Sequence, residues 1–252
     1  MNRRQVIAFD LDDTLAVTKS AISDRMAELL AQLLDKYQVC VISGGKFEQF
    51  TRQVVDNLNV EHHKLLNLHL LPTCGTRYYR FDDIKGEWKM LYAEDIPDAE
   101  KKKIIKFLDE ASAELGYKET KPYGEIIEDR LSQITFSACG QEAPPDVKYK
   151  WDPDQKKRRQ IQKIVAPKLP DYEVRIGGTT SIDVTKIGID KAYGMEKLMQ
   201  VLEIGKDDIL FVGDKLNEGG NDYPVKAMGV DCIEVDGWED TALVIEAIIQ
   251  ST

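Results

Sequence analysis

The sequence predicts an α/β fold: a parallel sheet interleaved with helices, with an α+β domain inserted into it. Three observations predict this. Residues 6–9 (VIAF), 39–42 (VCVI) and 208–212 (DILFV) are short runs, apolar almost throughout and without alternation, as strands buried on both faces are. Segments with apolar residues at helical spacing lie between them, in the strand–helix–strand order of a parallel sheet. From about residue 82 to 184 the pattern changes to a hairpin and an alternating strand, which belong to antiparallel sheet. The expected division is 1–81 with 185–252 for the parallel-sheet domain, and 82–184 for the insertion.

Taken in order, the first strand ends in three acids, Asp10, Asp12 and Asp13. Ile22, Met26, Leu29, Leu30, Leu33 and Leu34 then mark an amphipathic helix over 22–37, with Ser23 and Asp24 suited to cap it. The strand at 39–42 ends in Ser43-Gly44-Gly45, and a helix is expected over about 46–58. A strand end, a small polar residue, glycines and a helix start make a place for an anion. Residues 68–71 read as a third strand. Tyr78, Tyr79, Phe81, Trp88 and Tyr92 flank a turn at 82–86, which reads as a hairpin. A helix is expected over 98–115 and strands over 125–129 and 131–139. In the second of these, Ile134, Phe136 and Ala138 alternate with Gln133, Thr135 and Ser137, predicting one covered and one wetter face. A helix over 154–165 carries Lys156, Lys157, Arg158 and Arg159, read as a solvated basic face. Short strands at 174–176 and 181–184 surround Gly177 and Gly178. The parallel pattern returns with a helix at 190–202, the strand at 208–212, a late strand at 232–235 and a closing helix at 240–249.

A chain of 252 residues is long enough for a sizeable core. A net charge of −10 argues against a nucleic-acid partner and against an anionic membrane surface, but leaves room for a local cationic site. No apolar run reaches the roughly 20 residues of a membrane span. The first residues lack the apolar length of a signal peptide, so a cytoplasmic protein is expected. Cys40, Cys74, Cys139 and Cys232 are scattered and read as reduced thiols, and His62, His63 and His69 show no zinc-ligand spacing. The aromatic hairpin at 78–92 is a candidate interface for a homodimer.

The chemistry lies at the strand ends. The strand at 6–9 finishes at Asp10 and Asp12, and the strand at 208–212 at Asp214 and, beyond a glycine-rich loop, Asp222. A parallel sheet brings such ends together where open α/β folds bind ligands. Clustered carboxylates need a cation, and an oxygen-only set without His or Cys favours Mg2+. A carboxylate can also attack phosphorus, with the metal, a lysine and a hydroxyl neutralising the transferring group. Lys191 and Ser43 are placed to do this.

FDLDDTLA (9–16), VISGG (41–45), Lys191 and FVGDKLNEGGNDYPV (211–225) resemble, in order and separation, the four motifs of the haloacid dehalogenase-like (HAD) superfamily. The insertion is similar to the C2-type cap of the subfamily that includes sugar-phosphate phosphatases and eukaryotic-type phosphomannomutases. GDKLNEGGND (213–222) and IGGTTSIDV (176–184) resemble the phosphomannomutase branch. The resemblance implies a Rossmann-like HAD core. Within it Asp10 is the nucleophile and Asp12 the general acid/base. Asp10, the backbone carbonyl of Asp12, and Asp214 hold Mg2+, with Asp222 completing the metal site. Ser43, Gly44 and Lys191 hold the phosphoryl group. Asn221 supports the metal or substrate side, and Lys19, Arg130, Ser181 and Asp183 meet the substrate.

The match departs in the cap. Where the family places further arginines for a second phosphate, this sequence has Gln141 and, beyond it, only Lys148 and Lys150; Lys19 stands for another family arginine. Lysine lacks the guanidinium fork and glutamine the charge. The expectation is therefore a Mg2+-dependent phosphatase of a sugar phosphate or similar small phosphometabolite. A phosphomannomutase-like isomerase is the alternative, and an idle sugar-phosphate sensor the third reading.

Overall fold

The computed structural model describes residues 4–251. The chain divides into two compact units, Met1–Ala93 together with Ile189–Thr252, and Glu94–Gly188. In the first unit the elements run β1 (Val6–Asp10), α1 (Asp24–Leu33), β2 (Gln38–Ile42), α2 (Phe47–Gln53), α3 (His62–Leu65), β3 (Leu68–Leu71), β4 (Arg77–Asp82) and β5 (Glu87–Ala93). The second unit holds α4 (Asp98–Glu114), β6 (Ile127–Asp129), β7 (Gln133–Ser137), α5 (Pro145–Trp151), α6 (Lys156–Val165), β8 (Tyr172–Ile176) and β9 (Ser181–Lys186). The chain returns to the first unit with α7 (Lys191–Leu202), β10 (Ile209–Gly213), α8 (Tyr223–Ala227), β11 (Asp231–Glu234) and α9 (Trp238–Gln250).

The first unit is built on a seven-stranded sheet in the order β11-β10-β1-β2-β3-β4-β5. The strands from β11 to β3 are parallel, so their carboxyl ends share one edge, with β1 between β10 and β2. Both sheet faces are covered, which is why the strands read as unbroken apolar runs. Ile7, Phe9, Val39 and Val41 pack with Met26 and Leu30 of α1 and Ala242 and Ile245 of α9. Val6, Ala8, Cys40 and Ile42 point the other way, onto Met195 and Leu198 of α7 and Val225 of α8. Ser23 caps α1, its side chain accepting from Met26 N–H.

The aromatic hairpin is where the structure departs from the expected boundary. β4 pairs antiparallel with β3 (His69 opposite Arg80, Leu70 opposite Tyr79), so β4 and β5 extend the large sheet and do not begin a new one. The insertion runs over Glu94–Gly188, not 82–184. Most of the hairpin's aromatic surface is used inside the first unit: Tyr79 stacks on Phe47, and Phe81 meets Trp88 edge-on. A second departure is the length of α2, which ends at Gln53 and not near 58. Its last carbonyls are taken from outside the helix, Gln53 C=O by the Ile22 N–H at 2.9 Å and Arg52 C=O by the Asn57 amide at 2.8 Å.

The second unit carries a four-stranded antiparallel sheet, β6-β7-β9-β8. One face, with Ile134, Phe136, Ile182 and Val184, packs on Ile104 and Leu108 of α4 and Ile161 and Val165 of α6. The other face was expected to be wetter, yet every residue of β7 is buried. Its polar side chains are satisfied there. Gln133 and Thr135 both donate to Asp183 Oδ1, at 2.9 and 2.7 Å. The basic run of α6 is likewise not a solvated face throughout. Arg158 is buried, ion-paired to Asp152 at 2.8 Å and donating to the carbonyls of Gly177 and Gly178.

Candidate active site

β1 carries Asp10 to the carboxyl edge of the parallel strands, level with Ile42 at the end of β2. Asp10 is buried. Lys191, the first residue of α7, reaches the same point. Asp190 fixes that helix start by accepting from Tyr193 N–H. Lys191 is 1% exposed, and its Nζ lies 2.5 Å from Asp10 Oδ1 and 2.5 Å from Asp222 Oδ1. Asp222 is held in turn by Lys215 N–H, which donates to its Oδ2 at 3.0 Å. Gly213 makes room for it, because a Cβ there would stand 2.5 Å from Asp222 Oδ2. Asp214 follows on β10. One of its oxygens pairs with Lys215 Nζ, while Oδ1 is buried with no hydrogen-bond partner.

Charges at this density disturb one another. Burial pushes the Asp10 carboxyl well above the usual carboxylate range, the Lys191 ammonium opposes this, and Asp222 adds to the rise. Burial works against the charge on Lys191, but Asp10 and Asp222 outweigh it and hold the ammonium above lysine's usual range. Lysine thus bridges two buried carboxylates, and a third offers an unused oxygen beside them.

The carboxylate oxygens of Asp10, Asp214 and Asp222 lie within 4.8 Å of one another, the one such cluster of His, Cys, Asp or Glu ligands among the described residues. An orphaned buried carboxylate oxygen in an all-oxygen donor set fits a hard divalent cation such as Mg2+.

The other expected residues of this unit fall into two groups. Ser43 is buried at the end of β2, its Oγ accepting from Gly45 N–H at 3.2 Å. A Cβ on Gly44 would meet nothing within 4 Å, so no packing demands a glycine there. Asp12 does not join the carboxylate cluster through its side chain. Its Oδ1 accepts from Lys19 N–H at 2.8 Å and Gln53 Nε2 at 3.2 Å, and its Oδ2 from Gln49 Nε2 at 2.8 Å. Lys19 itself has a left-handed backbone, φ 60°. Asn221 is exposed. The sequence reading missed Gln49, Gln53 and Lys215. Glutamines on an amphipathic helix look like surface, and their partner lies 37 and 41 residues upstream.

In the second unit, register places Asp183 between Thr135 and Arg175, with Glu128 beyond Thr135 and Ser181 one row along. Arg130 Nε donates to Glu128 at 2.8 Å, and Arg175 pairs with Glu173 at 2.5 Å.

Buried carboxylates and a buried lysine gathered at the carboxyl edge of a parallel sheet, where open α/β folds bind ligands, make this the candidate active site. The haloacid dehalogenase-like hydrolase family profile matches residues 7–219, and the chain belongs to that family. It is 30% identical over 230 residues to phosphomannomutase 2 of Dictyostelium discoideum, spanning 89% of this chain and 87% of that one. It is 25% identical to a probable phosphomannomutase of Caenorhabditis elegans over 98% of this chain and 96% of the relative. In fold it is similar to the IMP-nucleotidase of Plasmodium falciparum (TM-score 0.71, 16% identity, 99% of this chain and 71% of that one). It is also similar to a haloacid dehalogenase-like hydrolase from Bacteroides thetaiotaomicron (TM-score 0.67, 16% identity, 99% and 100%).

Proposed function

We propose that the protein is a Mg2+-dependent phosphatase of a sugar phosphate, working through a phosphoryl group carried on Asp10. The observation that carries this reading is the Lys191 ammonium shared by Asp10 and Asp222, beside the orphaned Asp214 oxygen. Asp10 attacks phosphorus, a new P–O bond forms to its carboxylate, and the bond to the sugar oxygen breaks. Asp12 gives its proton to that leaving oxygen. Water then attacks the aspartyl-phosphate, Asp12 takes the water's proton, and phosphate leaves with Asp10 restored. Lys191 and Ser43 hold the transferring group, with Gly44 lining the same loop. Asp10, Asp214 and the Asp12 carbonyl would hold Mg2+, with Asp222 in support; when bound it neutralises charge on the phosphoryl oxygens.

Kinship to phosphomannomutases supports a second reading, a hexose-phosphate mutase. The polar face of the inserted unit's sheet favours the phosphatase. A mutase must hold a bisphosphate by either end. On that face Arg130 and Arg175 are each paired to a glutamate, and Glu128, Glu173 and Asp183 outnumber them. Such a face suits hydroxyl groups, which Asp183 and Ser181 can bind, better than a second phosphate. The test incubates the protein and Mg2+ with hexose monophosphates, with and without a hexose bisphosphate, following free phosphate and 1-/6-phosphate interconversion. Phosphate release independent of bisphosphate is expected. Interconversion with negligible release overturns the phosphatase reading, and tight binding without turnover of any substrate favours a sensor.

A further inference from the structure

Asp12 is oriented from a different element than the one that carries it. It leaves the end of β1, yet two of the three N–H donors on its carboxylate come from α2. The third is the Lys19 backbone N–H, in the loop that joins β1 to α1. That loop holds two non-glycine residues in the left-handed region, Asp13 (φ 62°) and Lys19 (φ 60°), a conformation that persists only where its surroundings enforce it.

Gln53 ties that loop to α2. It is wholly buried. Its Nε2 donates to Ser20 C=O at 2.7 Å and to Asp12 Oδ1 at 3.2 Å, and its own carbonyl takes the Ile22 N–H at 2.9 Å. Both partners of the amide nitrogen are acceptors, so the amide faces them with N–H, and its Oε1 is left buried with no partner. A side chain that leaves an acceptor unsatisfied in order to donate twice is placed for those donations, not for packing. Gln49, one turn earlier and half-exposed, makes a single bond to the other Asp12 oxygen, at 2.8 Å.

We infer that Gln49 and Gln53 are positioning residues for Asp12: Gln53 fixes the loop and one carboxylate oxygen, and Gln49 aims the other as a neutral, releasable donor. Two neutral amides direct the carboxylate without cancelling its charge, as a lysine would. The inference rests on the proposed role of Asp12 in proton transfer. It makes α2 part of the proton-transfer machinery, although no atom of α2 need touch the substrate.

The two halves of that role are separable by leaving group. A sugar oxygen needs a proton to leave; nitrophenolate does not. The experiment measures the first turnover of the Mg2+-loaded protein on a hexose monophosphate and on p-nitrophenyl phosphate. It compares the unaltered chain with Gln49→Leu and with the isosteric Gln49→Glu. Gln49 is half-exposed, so both variants are expected to fold, and thermal melting checks this. Gln49→Leu is expected to lower the hexose-phosphate first-turnover rate roughly 10- to 100-fold, within the range general acid catalysis contributes, with KM little changed. The p-nitrophenyl phosphate first turnover should stay within about threefold by the same reasoning. Gln49→Glu, which faces Asp12 with a carboxylate, should lose at least as much. Equal losses on both substrates, or none on either, overturn the inference while leaving the phosphatase reading intact. Failure of the unaltered chain to transfer phosphoryl from either substrate overturns both.

Discussion

Two buried polar clusters lie on neighbouring strands of one sheet, and they are finished in opposite ways. The first is a neutral chain running from β4 toward the amino end of β2. Tyr78 donates to His69 Nδ1 at 2.6 Å, and His69 Nε2 donates to Gln38 Oε1 at 2.6 Å. Gln38 donates on to Asn67 Oδ1 at 3.1 Å, and Asn67 to Leu34 C=O at 2.9 Å. Burial keeps the imidazole neutral, so with its Nε2–H given to Gln38 Oε1 its Nδ1 accepts from Tyr78. The second cluster, Asp10, Lys191, Asp222 and Asp214, sits at the carboxyl edge. It is charged, mutually repelling in part, and ends in a carboxylate oxygen with no partner. A satisfied neutral network specifies a core; a charged one left incomplete is poised to bind. The difference separates a structural histidine from a candidate catalytic aspartate without reference to position alone.

The largest break in that comparison comes from Asp10→Asn. Lys191 keeps its bond to Asp222, so the fold should persist, but the carboxylate nucleophile is gone. Turnover is expected to fall on the order of 10^4-fold or more, as for loss of a nucleophile. Phosphate release checks the rate, and circular dichroism the fold. Retained activity removes the covalent mechanism.

A smaller effect sharpens the claim that the charged cluster is incomplete. Mg2+ should raise the melting temperature, by the equivalent of about 2.7 kcal/mol at a hundredfold excess over Kd, because only the folded chain gathers the three carboxylates. Asp214→Asn removes the charge behind the orphaned oxygen and should blunt the shift. Equal shifts in both proteins place the cation elsewhere.

The sequence made the charged cluster legible because each of its members ends or follows an apolar run, or begins a helix. Asp10 and Asp214 close buried strands, Lys191 opens α7, and parallel strand order alone brings such ends together. The neutral cluster left no such signal. His69 lies inside an apolar run, and nothing near it in sequence shows that Gln38 and Tyr78 will meet it. Arg158 escaped for the same reason. A basic run looks solvated until Asp152 and the carbonyls of Gly177 and Gly178 come round to one residue of it. The 82–184 boundary failed on a different point. Alternating aromatic residues announce a hairpin, but not which sheet its first strand joins, and that was decided by pairing of β4 with β3.

The smallest effect tests the neutral cluster on its own terms. Burial, with Arg80 nearby, pushes the His69 imidazole down from 6.5 to about 3. In the unfolded chain the ring binds a proton near 6.5, so below that pH the unfolded state takes up protons that the folded state refuses. The stability His69 contributes is therefore full above about pH 6.5 and is lost as pH falls from there toward 3. Between pH 7 and pH 5 the loss should be about 2 kcal/mol, most of it below pH 6. His69→Gln cannot titrate, so its stability should lack this slope even though it is lower at neutral pH. Urea unfolding at pH 7, 6 and 5 measures both proteins, and the gap between them should close as pH falls. A constant gap means that the folded protein accepts the proton, so that Gln38 and Tyr78 hold a charged ring. The cluster would then no longer be the neutral counterpart of the site at Asp10.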